Sequence, residues 1–136
     1  MEPRGIRNNN PLNIRKGNKW KGERPDQKDR SFEEFISMEY GIRAGFIILR
    51  KYITGYGGLT QKFNTIDKIV RRWAPPTENA TQKYIDFVVK DTGISPHQTI
   101  SFTNKALMVN LVYAMIFVEC GQRVDKERIE SAYDMI

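Results

Sequence analysis

The stretch from Ala106 to Gly121, which reads ALMVNLVYAMIFVECG, decides the fold of this chain. From Ala106 to Val118 every residue except Asn110 is apolar, and the run then ends in Glu-Cys-Gly. A helix that is apolar on all sides is buried at the centre of a protein, whereas a surface helix keeps one polar face. At about 1.5 Å per residue this helix is roughly 20 Å long, too short to cross a membrane comfortably. The sequence therefore predicts a helical protein built around this segment.

A single carboxylate, Glu119, lies at the carboxyl end of that predicted helix. Partial burial and the negative end of the helix dipole both disfavour its charged form, so both raise its pKa. A carboxyl group that stays protonated near neutral pH suits general-acid catalysis. The alternative is a solvated side chain that turns outward where the helix ends at Gly121.

The length and the cysteine content exclude several other kinds of site. A chain of 136 residues is most simply one domain, residues 1–136, and is large enough to bury a core without disulfides or metals. The single cysteine, Cys120, excludes an internal disulfide, and with the single histidine, His97, it fits no zinc-ligand spacing. We expect no metal and no cofactor, and we expect Cys120 to pack as a small apolar residue rather than to act as a nucleophile.

The net charge of +6 and the isoelectric point of about 9.5 favour a polyanionic partner, such as nucleic acid, anionic lipid or a cell-wall polymer. The excess is concentrated before the first long helix, in Arg4, Arg7, Arg15, Lys16, Lys19, Lys21, Arg24, Lys28 and Arg30. Charge alone does not choose among these partners. The chain opens with no secretory signal pattern, and we expect neither a signal peptide nor a membrane span.

The order of the patterns predicts an α+β fold that is mainly α, with a small β-lobe near the amino end. Short extended segments are expected at Asn13–Lys16, near Trp20 and at Phe32–Ile36, because turn-forming Asn, Gly and Pro surround them. Five helices are expected. The first runs from Met38 to about Ile53 after a Ser37 cap, and the second from Ile66 to Trp73 after Thr65. The third runs from a cap at Asn79 or Thr81 to about Asp91, the fourth is the apolar stretch after a Thr103 cap, and the fifth begins at Asp125.

Several segments, taken in order, resemble the lysozyme-like peptidoglycan hydrolases, especially their glucosaminidase branch. Asn9–Arg15 (NNPLNIR) is similar to that branch's N-N-L-F-G-I-K element, and Trp20–Gly22 to its W-x-G element. Phe32–Ser37 resembles its F-x-x-Y-x-S strand, and Trp73–Tyr84 is similar in position and character to its G-Y-A-T-D-P-x-Y element. The resemblance implies a lysozyme-like helical domain that acts on bacterial peptidoglycan.

A second and closer resemblance covers nearly the whole chain. Arg4–Arg15 (RGIRNNNPLNIR) together with Arg72–Tyr84 (RWAPPTENATQKY) is similar to a group of small phage and prophage proteins. Those proteins are described as virion structural or lysozyme-like proteins.

One departure from the first family implies a circular permutation. The glucosaminidases place their catalytic Glu before the N-N-L-F element, at the end of a hydrophobic helix, but only six residues precede Arg7 here. The one segment that resembles this helix is Leu111–Gly121, near the other end of the chain. We therefore expect the catalytic helix to have moved from the front of the domain to the back, with Glu119 close to Asn9, Asn10 and Thr81. A circular permutation of this kind disturbs a fold little, because chain ends commonly lie close together at the surface.

On this interpretation Glu119 donates a proton to the oxygen of the glycosidic bond. Candidates for a second catalytic group are Glu33 and Glu34 in the predicted strand, with Glu23, Asp26 or Asp29 in the neighbouring loop; each of them is otherwise an exposed charge. The related lytic transglycosylases need only one Glu, because a hydroxyl of the sugar attacks instead. Tyr84 is expected to hold the acid or a sugar, or else to be an ordinary core residue.

Substrate contacts are expected from two kinds of side chain. Asn9, Asn10 and Asn13 can hydrogen-bond N-acetyl groups, although Asn residues in such a run also form turns. Trp20 can stack on a sugar ring or cover the small lobe, and Thr81 lies one helical turn from Tyr84 and faces the same side.

Three functions remain open on the sequence. The first is a peptidoglycan-cleaving enzyme of phage or prophage origin, which reaches the cell wall in a virion, through lysis or by secretion. The second is a non-catalytic virion or secretion-apparatus protein that binds glycan or a partner protein. The third is nucleic-acid binding through the basic amino-terminal segment, for which the sequence has no recognised DNA-reading motif.

Overall fold

In the computed structural model, the apolar stretch forms a core helix that packs against several of the other helices. The structure describes residues 2–55, 57–58, 60–76 and 80–136. The helices in these ranges are α1 (Arg4–Arg7), α2 (Met38–Thr54), α3 (Ile66–Trp73), α4 (Thr81–Thr92), α5 (Lys105–Cys120) and α6 (Lys126–Asp134). The end of the Trp73–Tyr84 motif at 77–79, including the proposed Asn79 cap, lies outside the described residues.

From Met108 to Cys120 helix α5 is largely buried, as its sequence predicts. Its buried residues are Met108, Val109, Leu111, Val112, Ala114, Met115, Ile116 and Cys120. They do not form a single stripe because α1, α4 and α6 pack against different sides of the helix. The helix ends at Gly121, whose φ of 73° is the left-handed conformation that glycine adopts most easily.

Side-chain caps set the start of three helices. The hydroxyl of Ser37 accepts a hydrogen bond from the Tyr40 N–H at α2, and that of Thr65 accepts one from the Lys68 N–H at α3, which confirms both predicted caps. The cap predicted for α5 is wrong by one residue. Asn104, not Thr103, accepts the hydrogen bond from the Leu107 N–H.

The prediction of a small β-lobe is wrong, because the described residues of this segment form no regular strands. Between α1 and α2 the described chain contains only two isolated antiparallel bridges, Arg15 with Phe32 and Glu23 with Phe35. Asn13 adopts a φ of +55°, which interrupts the extended segment expected to start there. The fold is therefore mainly helical, with an irregular amino-terminal lobe.

Side chains take the place of strand pairing in this lobe. The amide of Asn10 donates to the carbonyls of Ile14 and Glu33 and accepts from the Ile14 N–H. The carboxylate of Glu34 accepts hydrogen bonds from the N–H groups of Lys28 and Asp29. Because these side chains satisfy the backbone groups, the lobe can be ordered without a sheet.

The lobe is attached to α2 by close backbone packing. A Cβ atom on Gly41 would lie 1.8 Å from the carbonyl oxygen of Asn9, and one on Gly45 would lie 2.3 Å from Cδ1 of Leu12. The Asn9 amide also donates to the carbonyl of Phe35. The turn at Asn8–Asn10 therefore lies directly on the surface of α2.

In the ranges that the structure describes, none of the helices combines the length and the apolar character that crossing a bilayer requires.

Candidate active site

The carboxyl group of Glu119 lies at the end of α5, between the start of the chain and helix α4. It is partly buried. The side-chain amide of Asn13 donates to its Oε1 at 3.2 Å and to the main-chain carbonyl of Glu119 at 3.1 Å. The 106 residues that separate these partners make this a purely tertiary contact.

Burial raises the pKa of Glu119 above its ordinary value of 4.5, and the polar contacts of Asn13, Tyr84 and Trp73 oppose the shift only in part. A carboxyl group in this environment binds its proton more tightly than an exposed glutamate does. It is therefore suited to donate a proton at a pH where ordinary carboxyl groups are ionised.

Tyr84 lies beside Glu119 and is itself almost fully buried, with 5% of its surface exposed. Burial raises the pKa of its hydroxyl well above 10, and the neighbouring Glu119 charge adds to the shift. The hydroxyl makes no hydrogen bond of normal geometry with any residue that the structure describes. A buried hydroxyl without a partner costs free energy, so this group is available for a contact that a ligand or a moving carboxyl supplies.

Two surface cavities share Glu119. The first has a volume of about 470 Å³ and is lined by Glu119 with Ala80, Lys83, Tyr84, Phe87, Phe117 and Val118. The second has a volume of about 330 Å³ and is lined by Glu119 with Pro3, Arg4, Gly5, Arg7, Asn13 and Cys120. A ligand that extends from one cavity into the other would therefore pass the carboxyl group.

The first cavity has an aromatic wall. The rings of Phe87 and Phe117 stack with their centroids 5.5 Å apart, and the guanidinium of Arg123 lies 4.4 Å from the centre of the Phe117 ring. Arg123 is held there by two hydrogen bonds to the Asp91 carboxylate, at 2.9 and 3.0 Å. Aromatic rings at a cavity wall suit the apolar face of a sugar ring.

The other substrate-binding candidates from the sequence do not line these cavities. Asn9 and Asn10 use their amides to hold the amino-terminal lobe, and the Thr81 hydroxyl donates to the carbonyl of Ala74. Trp20 lines a separate cavity of about 390 Å³, next to Tyr52. Of the expected substrate-binding residues, only Asn13 contacts Glu119.

Glu33 and Glu34 do not line either Glu119 cavity. The carboxylate of Glu34 is held by backbone N–H groups and by Arg24, whose Nη1 is 3.3 Å from Oε1. Glu33 is also buried, and its own burial followed by the neighbouring Glu23 carboxyl raises its pKa to about 7, against a weaker opposing effect of Lys16. These two carboxyl groups belong to the lobe, where Glu34 organises the loop.

The raised pKa of Glu33 gives a testable dependence of stability on pH. Since the folded protein holds this proton more tightly than the unfolded chain, the unfolding free energy decreases as the pH rises from about 4.5 to about 7. We expect Glu33→Gln to raise the melting temperature at pH 8 by about 3 °C or more. A change of about 1 kcal/mol in the unfolding free energy shifts the melting temperature of a domain of this size by roughly that amount. The gain should disappear at pH 4.

Differential scanning calorimetry at pH 4, 6 and 8 measures this effect, and Glu34→Gln is the matched control. Burial disfavours the Glu34 charge, but the N–H groups of Asp29 and Lys28 and the Arg24 charge outweigh it and lower the pKa of that carboxyl. Glu34→Gln should therefore destabilise the protein at pH 8. If the melting temperature of Glu33→Gln differs from that of wild type by the same amount at all three pH values, the account is contradicted.

Sequence reasoning missed Lys83, Phe117, Arg4 and Arg7 as lining residues. Phe117 is one apolar residue among many in α5, and only its position relative to α4 distinguishes it. Arg4 and Arg7 belong to a helix of four residues, which has too few residues to show a helical pattern.

In the described part of the chain, no three His, Cys, Asp or Glu side chains come together in a way that would hold a metal ion.

The fold and the site together define a mainly helical protein with a partly buried carboxyl group at the end of its core helix. The chain is 43% identical over 122 residues to Protein P5 of Pseudoalteromonas phage PM2, and the match spans 87% of this chain and 71% of that protein. It therefore belongs to the family of this phage protein. No family model matches the sequence.

Proposed function

We propose that this protein cleaves the β-1,4 bonds of peptidoglycan glycan strands, with Glu119 as the general acid. The observation that carries the proposal is the carboxyl group of Glu119, whose pKa is raised by burial and which lines two surface cavities. A carboxyl group with a raised pKa, with a cavity on either side to hold the substrate, suits proton donation to a glycosidic bond.

In the proposed reaction the Glu119 carboxyl donates its proton to the oxygen that leaves as the glycosidic bond breaks. Positive charge then develops at the anomeric carbon of the other sugar, and the new carboxylate stabilises it. Asn13 holds the carboxyl group through Oε1. Tyr84 supplies a polar group beside the carboxylate as it becomes charged.

Internal attack by a sugar hydroxyl is the route we propose, because it needs only one carboxyl group. Among the described residues that line the two cavities, Glu119 is the only acidic one. In that case the Glu119 carboxylate takes the proton of the sugar's own C6 hydroxyl, and the hydroxyl oxygen bonds to the anomeric carbon. The product is a 1,6-anhydro sugar, the acid is regenerated, and no water is consumed.

A lysozyme-like domain with a permuted chain order is part of this proposal. It is supported by the position of the amino-terminal segment at the end of α5: a Cβ on Gly5 would lie 3.3 Å from Cβ of Cys120, and Asn13 bonds Glu119. The relationship to a phage protein supports delivery to the cell wall during phage entry or host lysis.

Digestion of purified sacculi, followed by mass spectrometry of the released fragments, tests the reaction. We expect soluble muropeptides with 1,6-anhydro ends. Reducing ends would mean hydrolysis and a second catalytic group. No release from several wall types by folded protein would instead favour a non-catalytic phage component.

The contact between Asn13 and Glu119 predicts a shift in the pH dependence of cleavage. Since the Asn13 amide lowers the pKa of Glu119, we expect Asn13→Gly to raise that pKa further and to move the alkaline limb of the rate profile to higher pH. The maximal rate should fall by about tenfold, because the carboxyl is less firmly oriented. Glycine tolerates the left-handed conformation of this residue, whose φ is +55°.

Asn9→Gly is the matched control for this experiment. Asn9 has a similar φ of +52°, and its amide donates to the carbonyl of Phe35 rather than to Glu119. It should leave the alkaline limb in place. A limb that moves equally in both variants, or toward lower pH in Asn13→Gly, would contradict the assignment.

A further inference from the structure

The two cavities that share Glu119 differ in charge. The described wall of the first is mainly aromatic and apolar, and it includes the basic residue Lys83. The second contains two arginines, Arg4 and Arg7, and has no acidic residue besides Glu119 among the described residues that line it. This difference predicts that different parts of a bound glycan occupy the two cavities.

Neither arginine is neutralised by an ion pair with another described residue. The Arg4 guanidinium lies 3.9 Å from the centre of the Phe32 ring, and Arg15 lies 4.8 Å from the same ring. Stacking on a ring orients a guanidinium and leaves its edge N–H groups free to donate. The Arg4 charge helps to lower the pKa of Asp29, but the oxygens of that carboxylate already accept hydrogen bonds from Ser31, Phe32 and Asn8.

The backbone that carries the arginines is fixed. Gly5 is buried between them, and a Cβ on it would lie 3.0 Å from the carbonyl oxygen of Asn10. The carbonyl of Arg7 accepts a hydrogen bond of 2.9 Å from Nη2 of Arg24. The two guanidinium groups therefore extend from a rigid base beside the proposed catalytic acid.

We infer that Arg4 and Arg7 form a subsite for a carboxylate that a substituent of the glycan strand carries. The inference rests on the proposed function, because it uses the same groove. Arginine binds carboxylates through paired N–H donors, and peptidoglycan carries carboxylates on its lactyl groups and stem peptides, whereas chitin carries none. The subsite makes the enzyme selective for acidic glycans over neutral ones.

The test compares Arg4→Gln/Arg7→Gln with a control that removes the same charge elsewhere, Lys62→Gln/Lys68→Gln. Both control lysines are exposed and line neither cavity. The substrates are native sacculi and sacculi whose carboxyl groups have been converted to methylamides, in 0.15 M salt to screen long-range attraction. On native sacculi we expect the arginine variant to lose at least tenfold in kcat/KM and the lysine variant less than twofold.

On methylamidated sacculi the difference between the arginine variant and wild type should disappear, because neither has a carboxylate to bind. Removing the stem peptides frees the lactyl carboxylate, which is bound in an amide while the peptide is attached. A defect on these stripped strands shows that the subsite accepts a lactyl carboxylate, and a defect confined to intact sacculi assigns the carboxylates of the stem peptide. If the double variant is unstable, Arg7→Gln alone should show part of the loss, since the one hydrogen bond of Arg7 to Arg24 uses its main-chain carbonyl. Cleavage of native sacculi by the arginine variant at the rate of the lysine control would overturn the inference.

A binding arm separates this inference from the proposed function. Co-sedimentation with native and methylamidated sacculi is measured for Glu119→Gln with and without the two arginine substitutions. If the wild type cleaves nothing, the proposed function fails, and this arm still decides the subsite. The subsite is supported if the two arginine substitutions weaken binding at least tenfold on native sacculi but not on methylamidated ones. Equal binding to native sacculi with and without these substitutions overturns it.

Discussion

Glu119→Gln is expected to abolish cleavage of sacculi and, at neutral pH, to raise the melting temperature of the protein. Loss of a general acid lowers the rate by about 10²–10⁴-fold. The amide keeps the shape of the carboxyl group and cannot donate the proton that the leaving oxygen requires. The Asn13 amide can still donate to the remaining side-chain oxygen, so the site should stay ordered.

The gain in stability follows from the direction of the pKa shift. Burial raises the pKa of Glu119 in the folded protein above the 4.5 of an exposed glutamate. Between these two values the folded state binds more protons than the unfolded chain, so the unfolding free energy of wild type falls as the pH rises. Glutamine does not ionise. The stabilisation should therefore be largest above the folded pKa and absent below pH 4.

Thermal unfolding at pH 4 and pH 7.5, together with cleavage rates, measures both effects. Glu33→Gln is the matched control, because it also removes a carboxyl group whose pKa is raised, but one outside the groove. We expect both variants to be more stable at the higher pH and only Glu119→Gln to be inactive. A destabilised Glu119→Gln at pH 7.5, or an active one, would contradict the assignment.

Gly41→Ala is expected to destabilise the fold more than any other small substitution in α2. The new Cβ would lie 1.8 Å from the carbonyl oxygen of Asn9 and 2.9 Å from its carbonyl carbon. These are backbone atoms of a turn, so the clash is relieved only by moving the turn away from the helix. We expect a loss of about 3 kcal/mol or more, or roughly 10 °C in melting temperature.

Gly45→Ala is the control for this prediction. Gly45 lies one turn further along α2, and its new Cβ would meet the end of the Leu12 side chain at 2.3 Å rather than backbone. A side chain can change rotamer, and alanine favours the helix by up to about 1 kcal/mol over glycine. We expect a loss below about 1.5 kcal/mol, measured by urea unfolding. Equal losses for the two variants would contradict the packing described here.

The parts of the fold that were predictable are those that local sequence determines. The apolar run predicts a buried helix, and Gly121 predicts its end, because few other residues adopt the left-handed conformation readily. Ser37 and Thr65 predict helix starts because each carries its own capping oxygen. The position of Glu119 at a buried helix end follows from the same reasoning.

The parts that failed depend on contacts between distant segments. Asn13 and Glu119 are 106 residues apart, and local sequence does not specify their contact; only the family resemblance placed the amino-terminal segment near Glu119. The β-lobe was wrong because Asn13 takes a left-handed conformation and the Asn10 amide replaces strand hydrogen bonds. Both are effects of individual side chains that an alternation pattern does not contain.

The most direct test of the account places wild type and Glu119→Gln on the same purified sacculi and measures bound protein and released muropeptides together. The account predicts that both proteins bind and that only the wild type releases fragments. Release of the same fragments at the same rate by Glu119→Gln would contradict it.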